Sequence, residues 1–130
     1  MHLLFSLSSK EDFNKNMEEI VERPWGTYQT ILRGDTYQVK RIVVYPKAQL
    51  SLQSHNHRSE HWVIVEGIGT VTLGDKQLEL KKDGVVYIPV KEKHRMSNFT
   101  DANVVFIEVQ NGDYLGEDDI IRYEDVYGRK

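Results

Sequence analysis

Residues 50–62 read LSLQSHNHRSEHW, which puts three of the chain's five histidines beside a glutamine and a glutamate. Imidazole nitrogen with carboxylate or amide oxygen is a donor set that holds Zn, Mn, Co, Ni or Fe as divalent ions. Alternate residues of an extended segment share a face, so Gln53, His55 and His57 converge if this stretch is a strand. A bound ion needs three or four such donors. Glu60 lies in the same stretch, and His94, in YIPVKEKHRMSN, follows Pro89 by five residues at the end of another predicted strand. The competing fate of clustered histidines is hydration or ordinary hydrogen bonding. His61 is out of phase with Glu60 and Trp62, which assigns it to the opposite sheet face as a structural hydrogen-bonding group. His2 carries no signal. The chain has no cysteine, which removes thiolate ligands, disulfides and a cysteine nucleophile together.

Such donors must be positioned by rigid elements, and the sequence pattern says which. Ser9 precedes KEDFNKNMEEIV, in which Phe13, Met17, Ile20 and Val21 fall on one helical face and Asp12 sits three residues after the N-cap position. This predicts a short amphipathic helix ending before Pro24. Beyond Pro24 the period changes. Residues 27–31, 37–45, 62–66, 69–73, 77–80, 85–88 and 104–109 are short runs rich in β-branched and aromatic residues, punctuated by Gly, Pro and Asp. Gly74-Asp75 between two of them predicts a tight hairpin turn. Many short strands without intervening helical patterns predict an antiparallel sandwich or barrel. A second short helix is predicted near residues 118–123, in an acidic and aromatic tail.

The 130 residues suit one domain. Seventeen Lys and Arg against twenty Asp and Glu give a net charge of -3, with no basic stripe of the kind that neutralises a nucleic-acid backbone. No apolar run approaches the ~20 residues of a membrane span, and the opening MHLLFSLSS has no basic region before its apolar residues. A soluble cytoplasmic protein with no nucleic-acid or membrane partner is expected.

The spacing of the donors resembles the two motifs of the cupins, G-x5-H-x-H-x(3,4)-E-x6-G and G-x5-P-x-G-x2-H-x3-N. Glu60 is followed by six residues and Gly67, and Pro89, His94 and Asn98 reproduce P-x4-H-x3-N. The resemblance implies an all-β double-stranded β-helix, or jelly-roll barrel, with one divalent metal held by His, His, Glu and His. Three departures concern glycine: Lys47 and Lys91 stand where the pattern has Gly, and Asp83 and Gly84 read as exchanged. The histidine register is the fourth. Counting back from Glu60 makes Gln53 and His55 the first two ligands, whereas His55 and His57 form the H-x-H pair only with a shortened gap. The first register resembles the Gln-x-His of zinc-dependent phosphomannose isomerases of the other structural type.

Five blocks in order, RPWGTY, YQVKRIVVYP, LSLQSHNHRSEHW, YIPVKEKHRMSN and FIEVQNGDYLGEDDIIRYEDVYGR, are similar to the type II mannose-6-phosphate isomerase domain. That domain usually ends bifunctional mannose-1-phosphate guanylyltransferase/mannose-6-phosphate isomerase enzymes, which supply GDP-mannose. The likeness covers residues 23–129 and leaves 1–22 as an N-terminal extension. The Gly-rich nucleotide loop of a guanylyltransferase is missing from this sequence, so guanylyl transfer by it is not expected. The resemblance implies interconversion of mannose 6-phosphate and fructose 6-phosphate, with metal on Gln53, His55, Glu60 and His94. It leaves His57 as a further ligand or as the proton-moving base, with Glu108 the competing base. Phosphate recognition falls to Lys40, Arg41, Arg58 or Arg95, because basic side chains grip phosphate oxygens. Trp25 and Trp62 either line the sugar pocket or fill the core. A homodimer is expected, and a non-catalytic sugar-phosphate binder or a module docking on a separate guanylyltransferase is the alternative.

Overall fold

A computed structural model describes residues 17–124 of the chain. Among these residues there are eleven strands and no helix. One antiparallel sheet has six strands, in the order β1 (Val21–Arg23), β2 (Gly26–Arg33), β3 (Tyr37–Val44), β10 (Val104–Gly112), β5 (Arg58–Glu66) and β8 (Val85–Ile88). The other has five, in the order β11 (Ile121–Glu124), β4 (Leu52–Ser54), β9 (His94–Ser97), β6 (Gly69–Leu73) and β7 (Lys76–Leu80).

The alternation along β2, β3, β5 and β10 explains the inner face of the larger sheet, because residues paired directly across strands share a face. One row is apolar: Tyr28, Ile42, Phe106 and Ile64 are paired in succession. The next runs Thr30, Lys40, Glu108, Trp62 and Val86. A third runs Arg33, Gln38, Gln110, Glu60 and Ile88. The interior therefore changes along the strands from hydrocarbon to polar groups. The apolar end, with Trp25, Val44, Val71, Met96 and Val104, is the core, and Trp62 stacks there at 4.7 Å from the Phe106 ring.

All seven sequence-predicted strands are present, with small shifts of their ends. The Gly74-Asp75 turn is also present: Leu73 pairs with Lys76, and the positive φ of Gly74 alone fits a II′ hairpin. The predicted N-terminal helix lies mainly outside the described residues. Its last turn is corrected, because Val21–Arg23 is a strand paired with β2, and Glu18 donates its amide to the Thr30 carbonyl. The helix predicted near 118–123 is also absent: a turn closes at Asp119, and Ile121–Glu124 pairs with β4. Gly26 occupies a place in the RPWGTY block where a Cβ would lie 1.9 Å from the Val43 carbonyl oxygen, so β2 can lie against β3 only with glycine there.

The three glycine departures have a backbone meaning. Lys47, Asp83 and Lys91 are the non-glycine residues with positive φ among those described, at 62°, 73° and 73°. The turns keep the left-handed conformation that glycine favours while carrying larger side chains. Asn98 closes the motif as a structural residue. Its amide nitrogen donates to the carbonyls of Val44, Tyr45 and Ala102, and its oxygen accepts from the amide and hydroxyl of Thr100.

Candidate metal centre

The two sheets enclose a solvent-open cavity of about 180 Å³, larger than the ~150 Å³ that admits benzene in an engineered apolar core. His55, Glu60 and His94 line it, and all three are buried. One donor atom from each can be chosen so that all lie within 4.8 Å of one another. Glu60 comes from β5, His94 opens β9, and His55 directly follows β4. His55 Nε2 is 3.3 Å from Glu60 Oε2, and His94 Nε2 is 3.9 Å from Glu60 Oε1.

Both rings have their outer nitrogen committed. His55 Nδ1 donates to the Asp119 carbonyl at 2.6 Å and His94 Nδ1 to the Glu92 carbonyl at 2.9 Å. That fixes the tautomer in which Nε2 carries a lone pair, and backbone support of this kind orients imidazole ligands. The donor set therefore fits a divalent cation. Gln53 lies directly opposite His94 across β4 and β9, on the same face, with its amide nitrogen donating to the carbonyl and hydroxyl of Ser51. Gln53 lines the same cavity as the cluster.

The electrostatics follow from burial. Desolvation alone raises the Glu60 carboxyl, but the Arg58 guanidinium, then His94 and His55, hold it well below the usual carboxylate range. Arg58 Nε donates to Glu60 Oε2 at 2.8 Å and Trp62 Nε1 to Glu60 Oε1 at 2.9 Å. Burial pushes His55 down to about 4, which keeps its ring neutral. Glu108 moves the other way, to about 8, because it is desolvated and faces the charge of Glu60. Its carboxyl oxygen accepts from Gln110 at 2.6 Å, and Gln110 accepts in turn from Gln38.

The sequence-predicted residues separate into two groups. The cavity brings together Gln53, His55, Glu60, His94, Glu108, Lys40 and Arg58, with Trp25 and Trp62 both buried and both lining it. It excludes His57, Arg41 and Arg95. The chain bends at Asn56 and His57, so the extended face expected for Gln53, His55 and His57 breaks after His55. The bend is held by Asp119, whose carboxylate accepts from the amides of Asn56 and His57 at 2.8 and 3.0 Å. His57 is exposed, its ring edge-on to Tyr114, and does not reach the cavity as a base or ligand. Arg41 is exposed on the outer face, paired with Ile107 and Gln29. Arg95 alternates with His94 and Met96 and serves the other side of its sheet, donating to the Leu50 carbonyl and to Glu124. His61 is on the outer face as expected, where it packs on Tyr87 rather than entering a hydrogen bond among those described.

Sequence reasoning missed Asp119, Arg23 and Arg122. The last two line the same cavity.

A family model described as mannose-6-phosphate isomerase C-terminal matches residues 10–125. The chain belongs to this family. Within it, the chain is 53% identical over 109 residues to the xanthan biosynthesis protein XanB of Xanthomonas campestris pv. campestris, covering 84% of this chain and 23% of that protein. It is 51% identical over 109 residues to the alginate biosynthesis protein AlgA of Pseudomonas aeruginosa, with the same coverage. The mannose-1-phosphate guanylyltransferase ManC of Salmonella typhimurium is 46% identical over 114 residues, 88% of this chain and 24% of that one. The chain thus spans about a quarter of the length of these relatives. Among solved structures, the capsular polysaccharide assembling protein CapF of Staphylococcus aureus superposes with a TM-score of 0.71 at 22% identity, covering 82% of this chain and 34% of that one. The Cnp3 cupin domain of Schizosaccharomyces pombe gives 0.68 at 15% identity, covering 74% and 69%. These likenesses establish that this member of the mannose-6-phosphate isomerase C-terminal family has the cupin fold.

Proposed function

We propose that this domain is a metal-dependent aldose-ketose isomerase that interconverts mannose 6-phosphate and fructose 6-phosphate. The observation that carries the reading is the convergence of His55, Glu60 and His94 from the two sheets on one solvent-open cavity, with both Nε2 atoms facing Glu60 and that of His55 also accepting from Arg58 at 3.3 Å. Family membership adds support, as does the likeness to xanthan and alginate biosynthesis proteins.

His55, Glu60 and His94, with the Gln53 amide oxygen beside them, would hold a divalent ion, Zn, Mn, Co, Ni or Fe. When bound, that ion supplies a Lewis acid that polarises the substrate carbonyl. The chain's own groups do the rest. Glu108 lines the cavity, paired with Trp62 on the neighbouring strand, and is assigned the proton transfer in this reading. In its ionised form, which grows as pH rises toward and through about 8, it takes the hydrogen on C2 of the open-chain aldose and returns it to C1, while a hydroxyl proton passes from O2 to O1. One C–H bond breaks and one forms, so no oxidant enters. Arg58 holds the Glu60 carboxylate in place, and Trp62 walls the site from the core.

The test incubates the purified protein with mannose 6-phosphate and Mn, Zn or Co and assays fructose 6-phosphate. Turnover that chelator abolishes and the ion restores is expected. No turnover with any of these ions, together with tight association with a guanylyltransferase, would instead favour the docking module. The name of the ManC relative, and the share of it that this chain spans, motivate that second reading.

A further inference from the structure

Four basic side chains line the cavity: Arg23, Lys40, Arg58 and Arg122. Arg58 is committed to Glu60. The other three differ in kind. Arg122 has a buried Nε with no hydrogen-bond partner among the described residues, and a buried donor left unpaired in a native protein calls for a ligand or an ion. Arg23 uses two of its five donors, on the Glu22 carbonyl and the Tyr28 hydroxyl, at 2.9 and 3.5 Å. Lys40, whose side chain is 5% exposed, holds its ammonium group over the Tyr28 ring, neutralised by Glu117, whose own side chain is 55% exposed.

We propose that Arg23, Lys40 and Arg122 form the subsite for the phosphoryl group of the substrate, with Glu117 holding the place of that anion until it binds. The inference rests on the isomerase reading and deepens it. Register places the subsite: Arg122 is directly opposite Gln53, and Gln53 is directly opposite His94. Arg122 and the metal-ligand histidine therefore share a sheet face two strand spacings apart, about 10 Å. That is the order of distance an open-chain hexose spans between its carbonyl end and its C6 phosphate.

Charge places it too. When Glu117 swings to solvent, Lys40 loses its paired carboxylate, and a phosphate oxygen takes that place. The exchange keeps the buried Lys40 paired throughout, and Glu117, whose side chain is already more than half exposed, returns to water. Two guanidinium groups can each grip phosphate oxygens through paired N–H donors. Neither Arg23 nor Arg122 stands near the histidine motif in sequence. The fold brings them together from β1 and β11, the edge strands of the two sheets.

Calorimetric titration of the full chain with mannose 6-phosphate, mannose and inorganic phosphate tests the assignment. Wild type binds the phosphorylated sugar far more tightly than mannose. Arg122→Ala and Arg23→Ala each weaken that binding by about 10- to 100-fold, with Arg122→Lys between Ala and wild type. Glu117→Gln, which removes the competing carboxylate, tightens inorganic phosphate. Retained Mn binding by each variant reports an intact fold. Arg122→Ala and Arg23→Ala proteins that bind mannose 6-phosphate as wild type does overturn the subsite, as does Glu117→Gln with weakened phosphate binding. Kinetics keep the two readings apart. Binding lost in Arg122→Ala by a protein that never forms fructose 6-phosphate leaves the subsite standing without the isomerase. Turnover with an unchanged KM in Arg122→Ala leaves the isomerase standing without the subsite.

Discussion

At the scale of single residues, Glu60 has two duties that mutation can separate. It is one of three clustered donors, and it is the counter-charge of Arg58, a residue 6% exposed. Glu60→Gln keeps the shape and removes the charge, leaving Arg58 buried without a paired anion. We expect a loss of about 3 kcal/mol in stability, read by urea denaturation of the metal-free protein. Asp119 separates differently, because it contributes no donor to the cluster and supports it from outside. Asp119→Ala releases the amides of Asn56 and His57 and loosens the loop that presents His55. The expected result is a 10- to 100-fold drop in divalent-ion affinity by calorimetry, the usual penalty for losing a supporting group. The sequence made the donors legible because imidazole and carboxylate are recognisable by type. It hid Asp119, Arg23 and Arg122, since acidic and basic residues are ordinary at a surface and only their tertiary placement distinguishes these three. His57 misled for the converse reason. Its type is right, but a bend set by a residue 62 positions away turns it out of the cavity.

At the scale of elements, the long strands β2, β3, β5 and β10 were legible because each carries its own alternation. Strands β4, β9 and β11 were not, at three, four and four residues. His94–Ser97 is buried at every position, so no polar-apolar period marks it, and the strand exists through its pairing with β6 and β4. The same holds for Ile121–Glu124, which an acidic helical pattern disguised. The turns were half legible. The departures at Lys47, Asp83 and Lys91 were visible as missing glycines, and the backbone retains the glycine-like φ at each. Left-handed backbone costs an L-residue about 1–2 kcal/mol, and glycine gives back part of that gain through its larger unfolded-state entropy. Lys91→Gly should therefore stabilise the fold by about 0.5–1 kcal/mol, measured as a raised urea midpoint with an unchanged slope.

For the whole molecule, a homodimer is our proposal. The outer face of the larger sheet bears Val65, Val85 and Tyr87 at 38%, 57% and 50% exposure, next to one another on β5 and β8. A twofold pairing through this face would bury them. Light scattering on Val85→Glu with Tyr87→Glu should give a monomer's mass where wild type gives twice that value, and a wild-type monomer would remove the idea. The cavity opens elsewhere, between the sheets, so self-association of this kind leaves access to it.

One peptide unit sets a long-distance constraint on this architecture. The carbonyl of Asp119 chooses which nitrogen of His55 carries hydrogen, from 64 residues downstream. Cleavage or frameshift ahead of that point would spare most of the barrel yet let the imidazole spin and switch tautomer. Insertions between β10 and β11 face the same restriction, for the final segment acts as a keystone whose length must be conserved to an ångström if the ring is to keep its aim.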